Sequence, residues 1–363
     1  SFFAGIAMGA GVVISRYFGA GDGDQVSRAV HTVLAFGLAA GALLTVVGVA
    51  FTPTFLVWMQ TDPEVLPEAI SYFRYYFLGS LALVLDNVCR SIMNALGDSR
   101  RPLYYLIVSS VMNVVLDVVF LAVLRWGVWS AAVATVISQG LSALWIFCFL
   151  TGKRTILKLR LSCMRLEKQR VKQIVSLGFS GFTMGFTNSL VQIACNATLQ
   201  QFGGDLFVGI MTVVNSVREI VTMPVQGITH SSQPVMGYNY GAGEYRRVRQ
   251  AIAFSSISAV VYTAVVWILI NLFPEFFIRI FNQDRELVSA GVHAMRIYYF
   301  GFFFQSLQFA GQAVFVALGK ARHAIFFSIF RQVIIVVPLT LLLPHLWGMG
   351  SYGVFAAEPV SNL

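Results

Sequence analysis

Charge is scarce in this sequence. Only 11% of its 363 residues are Asp, Glu, Lys or Arg, about half the share in an ordinary soluble domain, and that excludes a water-soluble surface of normal extent. Cysteine is also sparse. Cys89, Cys148, Cys163 and Cys195 fall in no CxxC or Cys/His spacing, so they indicate neither a metal site nor a disulfide frame and read as small apolar fillers. No His pair, Ser/His arrangement or HExxH motif occurs, which removes the usual signatures of a membrane-embedded enzyme.

What is present is apolar: 57% of the residues are hydrophobic. Stretches long enough to cross a bilayer, roughly 20 residues at 1.5 Å each, recur along the whole chain. Hydropathy and helix breakers together predict spans near 1–18, 28–52, 69–95, 102–124, 127–150, 173–200, 206–236, 249–272, 291–318, 324–344 and 350–363. The partner of most of the surface is therefore a lipid bilayer. The chain opens at Ser1 directly inside an apolar stretch, with no initiator Met and no signal-peptide charge pattern. The expectation is a cut N-terminus.

The net charge of +9 does not point to nucleic acid, because 17 of the 25 Lys and Arg lie in five short connections. These are Arg16 to Arg28, Arg100-Arg101, Lys153 to Lys172, Arg246 to Arg249, and Lys320 to Arg322. Basic connections face the cytoplasm. The intervening connections carry Asp62, Glu64 and Glu68, then Asp205, then Glu275, Asp284 and Glu286, and are expected outside. The stretch Lys153 to Lys172, with Ile156, Leu157, Leu159, Leu161 and Leu166 interleaved, reads as a cytoplasmic linker lying on the membrane surface.

An internal repeat organises the rest. Arg-Tyr-Phe-Gly-Ala-Gly-Asp at 16–22 aligns with Tyr-Asn-Tyr-Gly-Ala-Gly-Glu at 238–244, an offset of 222 residues. At the same offset Val26 meets Val248, Asp62 meets Asp284, Tyr76 meets Tyr298, Gly79 meets Gly301, and Leu96-Gly97 meets Leu318-Gly319. The offset holds an even number of helices, so both copies enter the membrane from the same side as a parallel repeat. The expected fold is an all-α polytopic membrane protein of two six-helix bundles, with the first helix missing and the second and twelfth incomplete. Its divisions are residues 1–150, a basic linker at 151–172, and residues 173–363.

An ionisable group in a spanning helix costs at least ~2.5 to 3.5 kcal/mol on insertion scales, so each is a functional candidate. Asp117 is the clearest. The short connection between 102–124 and 127–150 forces an antiparallel pair, which puts Asp117 and Thr135 at the same depth, ~10 to 12 Å from the outer ends. Asn113 is one turn from Asp117 on the same face. An all-oxygen cluster of this kind suits Na⁺ or a proton, while a buried Asp that merely hydrogen-bonds the next helix fits the residues equally well. Asp86 and Arg90 are i, i+4 neighbours and read as a self-neutralising structural pair. Arg218 and Glu219 are adjacent and cannot pair face to face, so at least one points into the second bundle. Asn188, Gln192, Asn196, Asn215, Gln226, His230, Gln305, Gln308 and Gln312 are either cavity lining or interhelical hydrogen-bonding groups. Pro224, Pro338 and Pro359 are potential kinks.

These features resemble the multidrug and toxic compound extrusion (MATE) family over essentially the whole chain. The residues that carry the resemblance are the repeated Tyr/Phe-Gly-Ala-Gly, Met-Asn-Ala-Leu-Gly-Asp-Ser-Arg-Arg-Pro at 93–102, Gln233-Pro234 with Gly237-Tyr238-Asn239-Tyr240-Gly241-Ala242, and Glu358-Pro359. The resemblance implies an antiporter that exports small organic cations or drugs against an inward Na⁺ or H⁺ gradient. Two lobes in a V would alternate between outward and inward openings. It further implies a multi-pass monomer in a plasma or bacterial inner membrane, no cofactor beyond the coupling ion, and no nucleic-acid partner. In the DNA-damage-inducible, MepA-like branch the cation site uses an Asp on helix 1, an Asn and an Asp one turn apart on helix 5, and a Thr on helix 6. Asn113, Asp117 and Thr135 take the last three places. Another branch uses a Glu on helix 7 and an Asp on helix 10; here the former position is Asn188 and the 291–318 span has no carboxylate. Cavity lining in the second lobe is assigned to Asn188, Gln192, Asn215, Arg218 and Gln305. A flippase for lipid-linked oligosaccharides would share the repeat but calls for a more cationic cavity than Arg218 and Arg90 offer. A receptor has no need of a two-lobe repeat.

The charge pattern sets a topology that reporter fusions can test. Fusions within Lys153 to Lys172 and after Arg101 should report cytoplasmic, and one at Asp205 external; a linker found outside reverses the orientation of every span.

Overall fold

In a bilayer no water is available to backbone amides, so a chain this apolar must satisfy its hydrogen bonds within helices. The protein is described here by a computed structural model covering residues 2–59, 61–152, 166–346 and 348–362, and among these every regular element is helical. Residues 153–165 of the expected linker, with Cys163 and four of its interleaved apolar residues, lie outside that set. Internal contacts divide the chain into Phe2–Gly178 and Phe179–Leu363.

The first unit comprises α1 (Phe2–Gly19), α2 (Gly23–Trp58), α3 (Leu66–Leu78), α4 (Ser80–Ala95), α5 (Arg100–Asp117), α6 (Trp129–Thr151) and the opening turns of α7 (Lys168–Gly241). Helix α4 lies at its centre, packed on α1, α2 and α6, and α5 packs along α6. Ile6, Ile14, Leu34, Ile92 and Ile146 are fully buried there, whereas Val111, Val114 and Val115 on α5 are exposed, as lipid-facing apolar side chains should be.

A 74-residue α7 would be about 110 Å long if continuous, several times a hydrocarbon core. It is parted at Gly204, whose φ of 62° and ψ of −159° only glycine adopts readily. The second unit continues with α8 (Tyr245–Leu272), α9 (Pro274–Arg279), α10 (Arg285–Tyr298), α11 (Phe302–Ala317), α12 (Ala321–Ile329), α13 (Val337–Leu342) and α14 (Ser351–Asn362). Its core gathers Leu199, Ile210, Met211, Met295, Tyr299 and Phe355.

The repeat read from sequence recurs in local structure. Asp62 accepts from the amide of Glu64 at 2.9 Å, and its counterpart Asp284 caps α10 by accepting from Glu286 and Leu287 at 2.8 and 3.1 Å. The spans expected at 69–95 and 291–318 are each two helices, bent by 44° between α3 and α4 and by 52° between α10 and α11. The matched glycines Gly79 and Gly301 sit at the two bends. Gly301 is left-handed, at φ 69°; at Gly79 a side chain would meet Val136 on α6, whose Cβ lies 2.9 Å from where its own Cβ would be.

Six helices are long and apolar enough to cross a membrane singly, and each bent pair passes as a broken span. Because α7 holds two crossings, and α1 and α14, with 18 and 12 residues, are the shorter outer spans, these regions coincide with the eleven expected. Among the described residues, each unit also has a helix that loosens into a π-helix, at Val118–Val123 after α5 and at Phe330–Val336 before α13. The second widens the turn just ahead of Pro338, whose ring would otherwise press on the carbonyl one turn earlier.

Helix α1 meets α7 through glycines. A Cβ at Gly9 would lie 2.7 Å from the carbonyl oxygen of Ile174 and 2.9 Å from Leu177 Cβ, and one at Gly178 would lie 2.8 Å from the Ile6 backbone. Small residues permit this close approach, the means by which helices associate in lipid. Gly9→Val should therefore destabilise the protein by roughly 1–3 kcal/mol through overpacking. Gly140→Ala, with nothing within 4 Å of the added methyl, should be neutral or stabilising. Thermal unfolding in detergent decides between this close packing and a loose contact, in which the two variants would melt alike.

Candidate functional site

Two polar clusters stand in otherwise apolar surroundings, one in each unit. In the first, α5 presents Ser109, Asn113 and Asp117 at four-residue spacing, hence on one face. Ser109 Oγ donates to the Ser138 carbonyl at 3.0 Å, and one turn further Asn113 Nδ2 donates to Thr135 Oγ1 at 3.3 Å. Thr135 in turn donates to the Ala131 carbonyl at 3.0 Å. This fixes its hydroxyl proton and leaves its lone pairs toward α5.

Asp117 comes next along the ladder and ends it. Its Oδ1 is shielded from solvent and has no hydrogen-bond partner among the described residues, at the point where α5 gives way to π-helix. A carboxylate oxygen kept dry and unpaired is costly, and π-helical turns concentrate at functional sites. Asn113 and Thr135, expected to share a level with Asp117, are joined directly; Asp117 itself bonds neither.

The second cluster surrounds a small cavity of about 30 Å³. Its walls include Asn188, Gln192, Asn215 and Arg218 from α7, Tyr298 from α10, Arg331 and Gln332 from the π-helix, and Glu358 from α14. Arg331 donates to Glu358 Oε1 at 2.7 Å and to Asn362 Oδ1 at 2.6 Å, an ion pair in which both side chains are nearly buried. Gln332 donates to Asn188 Oδ1 at 2.5 Å. Arg218 stands apart. Glu358 lies within its electrostatic reach, and among the described residues no hydrogen bond or ion pair holds its guanidinium.

Of the residues expected to line the second unit, Asn188, Gln192, Asn215 and Arg218 do so. Gln305 is not in the wall. It is buried and donates to Glu358 at 3.0 Å, because its position on α11 turns it toward α14. Gln312 likewise spends its amide on the Ala324 carbonyl, at 3.4 Å, and His230 is exposed, bonded to neighbouring Gln233. Glu219 is exposed, so of the adjacent pair it is Arg218 that enters the cavity. In the first unit Asp86 and Arg90 form their ion pair, and Ser142 donates to Asp86 at 2.7 Å.

Arg331 and Glu358 were not expected as site residues. The cost of a charge in a spanning helix, which singled out Asp117, applies equally to Arg331 in the 324–344 span and to Glu358 in the last, and would have found both.

The MatE family model matches residues 1–119 and 182–342. The chain belongs to the MatE family. Among its relatives, the probable multidrug resistance protein YoeA of Bacillus subtilis is 25% identical over 99% of this chain and 79% of its own length. The multidrug export protein MepA of Staphylococcus saprophyticus is 22% identical over 98% of this chain and 79% of its own length. Two solved structures share the fold at a TM-score of 0.93 and 23% identity, each covering 99% of this chain and 81% of the other. One is an outward-facing multidrug resistance MATE transporter of the MOP superfamily, the other a MOP superfamily transporter from Pyrococcus furiosus. As a MatE protein the chain is a multi-pass membrane transporter of the multidrug efflux family, not an enzyme.

In this MatE chain the Arg331–Glu358 pair makes a sharp prediction. Arg331→Met strands a buried carboxylate and should cost about 3–5 kcal/mol, whereas Arg331→Met combined with Glu358→Gln should recover most of that loss. Denaturation in detergent distinguishes this from a bystander pair, for which the single variant would unfold like the parent.

Proposed function

We propose that this chain is a secondary antiporter that exports organic cations or drugs in exchange for Na⁺ or H⁺, with the coupling ion handled by Asp117, Asn113 and Thr135. The observation that carries the reading is the α5–α6 ladder: two rungs are closed by hydrogen bonds, and the third presents a dry, unpaired Asp117 oxygen. A fixed amide and hydroxyl beside a carboxylate form an oxygen cluster of the kind a hard cation takes. A proton on the carboxylate would remove the same electrostatic cost.

Alternating access follows from this chemistry. Asp117 is expensive when charged and dry, and inexpensive once an ion neutralises it, so ion arrival biases the first unit between two arrangements. The wide π-helical turn beside Asp117 gives α5 a place to change pitch without breaking the helix. The substrate is a small organic cation, the species works as a monomer in a plasma or bacterial inner membrane, and no cofactor beyond the coupling ion is involved.

Asp117→Asn keeps shape and hydrogen-bonding capacity but removes the titratable charge. Efflux of a fluorescent organic cation from energised cells should fall to background, with membrane abundance near normal. Retained efflux would make Asp117 a structural residue.

A further inference from the structure

The two copies of the repeat differ in charge at the end read as cytoplasmic. Residues 16–28 and 96–101 hold four cations, Arg16, Arg28, Arg100 and Arg101, against three acids, Asp22, Asp24 and Asp98. At the repeat offset, residues 238–250 and 318–323 hold five, Arg246, Arg247, Arg249, Lys320 and Arg322, against Glu244 alone. Arg246 stands where the first copy has Asp24, and Lys320 where it has Asp98. In a parallel repeat both copies reach the same side of the membrane, and the first does so without these extra cations. Orientation therefore does not call for them.

The fold gathers the five at one place. Helices α8 and α11 pack together and belong to consecutive spans, which run antiparallel, so the start of α8, the end of α11 and the first turn of α12 share one end of the second unit. All five side chains are exposed, and among the described residues no hydrogen bond or ion pair holds them. The matching groups of the first unit are engaged: Arg101 pairs with Asp98 at 2.8 Å and lies 4.4 Å from the centre of the Phe149 ring, and Asp22 caps α2 by accepting from the Gln25 amide at 3.0 Å. At the start of α8 no side chain caps the helix.

We propose that this end of the second unit binds an anionic phospholipid, its phosphodiester held by Arg246, Arg247, Arg249 and Arg322 and its acyl chains laid along the apolar faces below. Guanidinium forks match phosphate oxygens two at a time, the helix start adds positive field, and basic clusters beside a span attract anionic headgroups. The apolar continuation selects a lipid over a soluble anion. Phe254 and Val261 follow Arg247 at seven-residue steps on one face of α8, Phe326 follows Arg322 by one turn of α12, and all three are exposed. This inference rests neither on Asp117 nor on the charge of the exported substrate.

The test titrates the delipidated full chain in detergent with phosphatidylglycerol or phosphatidylcholine of the same acyl chains, counting bound lipid by native mass spectrometry. Both carry the phosphodiester, but choline neutralises the second. Phosphatidylglycerol should bind more tightly. Each cation near a membrane surface is worth about fivefold, so the triple variant Arg246→Gln, Arg247→Gln, Arg249→Gln should weaken phosphatidylglycerol roughly a hundredfold and leave phosphatidylcholine unchanged. Lysine at the same three positions should fall between, and Arg28→Gln with Arg100→Gln should leave the tightest phosphatidylglycerol in place. Because the substituted side chains are exposed, the lipid-free melting temperature should match the parent's. Equal binding of the two lipids, phosphatidylglycerol retained by the triple variant, or its displacement by equimolar glycerophosphoglycerol, the same headgroup without chains, would each overturn the inference. A reporter fused after Gln250 that turns external in the triple variant would also overturn it, by making the arginines orientation signals.

Discussion

Everything in this fold follows from the absence of water around its backbone and most of its side chains. With no solvent to complete hydrogen bonds, the chain closes its own as helices, and threonines and serines return their hydroxyls to carbonyls three or four residues back, as Thr183, Thr187, Thr198 and Thr263 do. Helices then approach through small residues rather than through a hydrophobic drive, which lipid tails do not supply. The glycine contact of α1 with α7 and the tight seat of Gly79 against Val136 are two instances. Against this background a polar group without a partner is an exception that calls for a reason.

The two units meet that constraint differently. In the first, α5 and α6 close Ser109 to Ser138 and Asn113 to Thr135, then leave an oxygen of Asp117 open. In the second, the carboxylate is the satisfied group, held by Arg331 and Gln305. The repeat thus keeps its helical plan and its bends at Gly79 and Gly301, while its polar residues differ between the two halves. A parallel repeat supplies a common frame; the side chains within it are free to diverge.

Much of this was legible in the sequence because it is periodic or local. The offset of 222 residues follows from matched motifs along the chain, and the break near Gly204 from the lengths of the apolar runs on either side of it. The expectation was that Asp117 and Thr135 share a level; it is Asn113, one turn earlier, that bonds Thr135. What stayed hidden depends on contacts between elements distant in sequence. Nothing in the 324–344 span says that Arg331 would meet Glu358, or that Gln305 would be taken up by the same carboxylate instead of lining the cavity. The bends within 69–95 and 291–318 were hidden for another reason: hydropathy is blind to a change of direction that costs one glycine and leaves every apolar residue in place.

The open group at Asp117 also weighs on energy. Each charged group in a spanning helix costs at least ~2.5 to 3.5 kcal/mol when uncompensated, and a folded protein has a net margin of only about 5–15 kcal/mol. The fold has the means to neutralise such groups, since it does so for Asp86 with Arg90 and for Glu358 with Arg331. Placing one amide or hydroxyl opposite Asp117 would have sufficed. That Asp117 Oδ1 remains open beside a π-helical turn is the strongest physical ground for assigning it to a ligand instead of to the architecture.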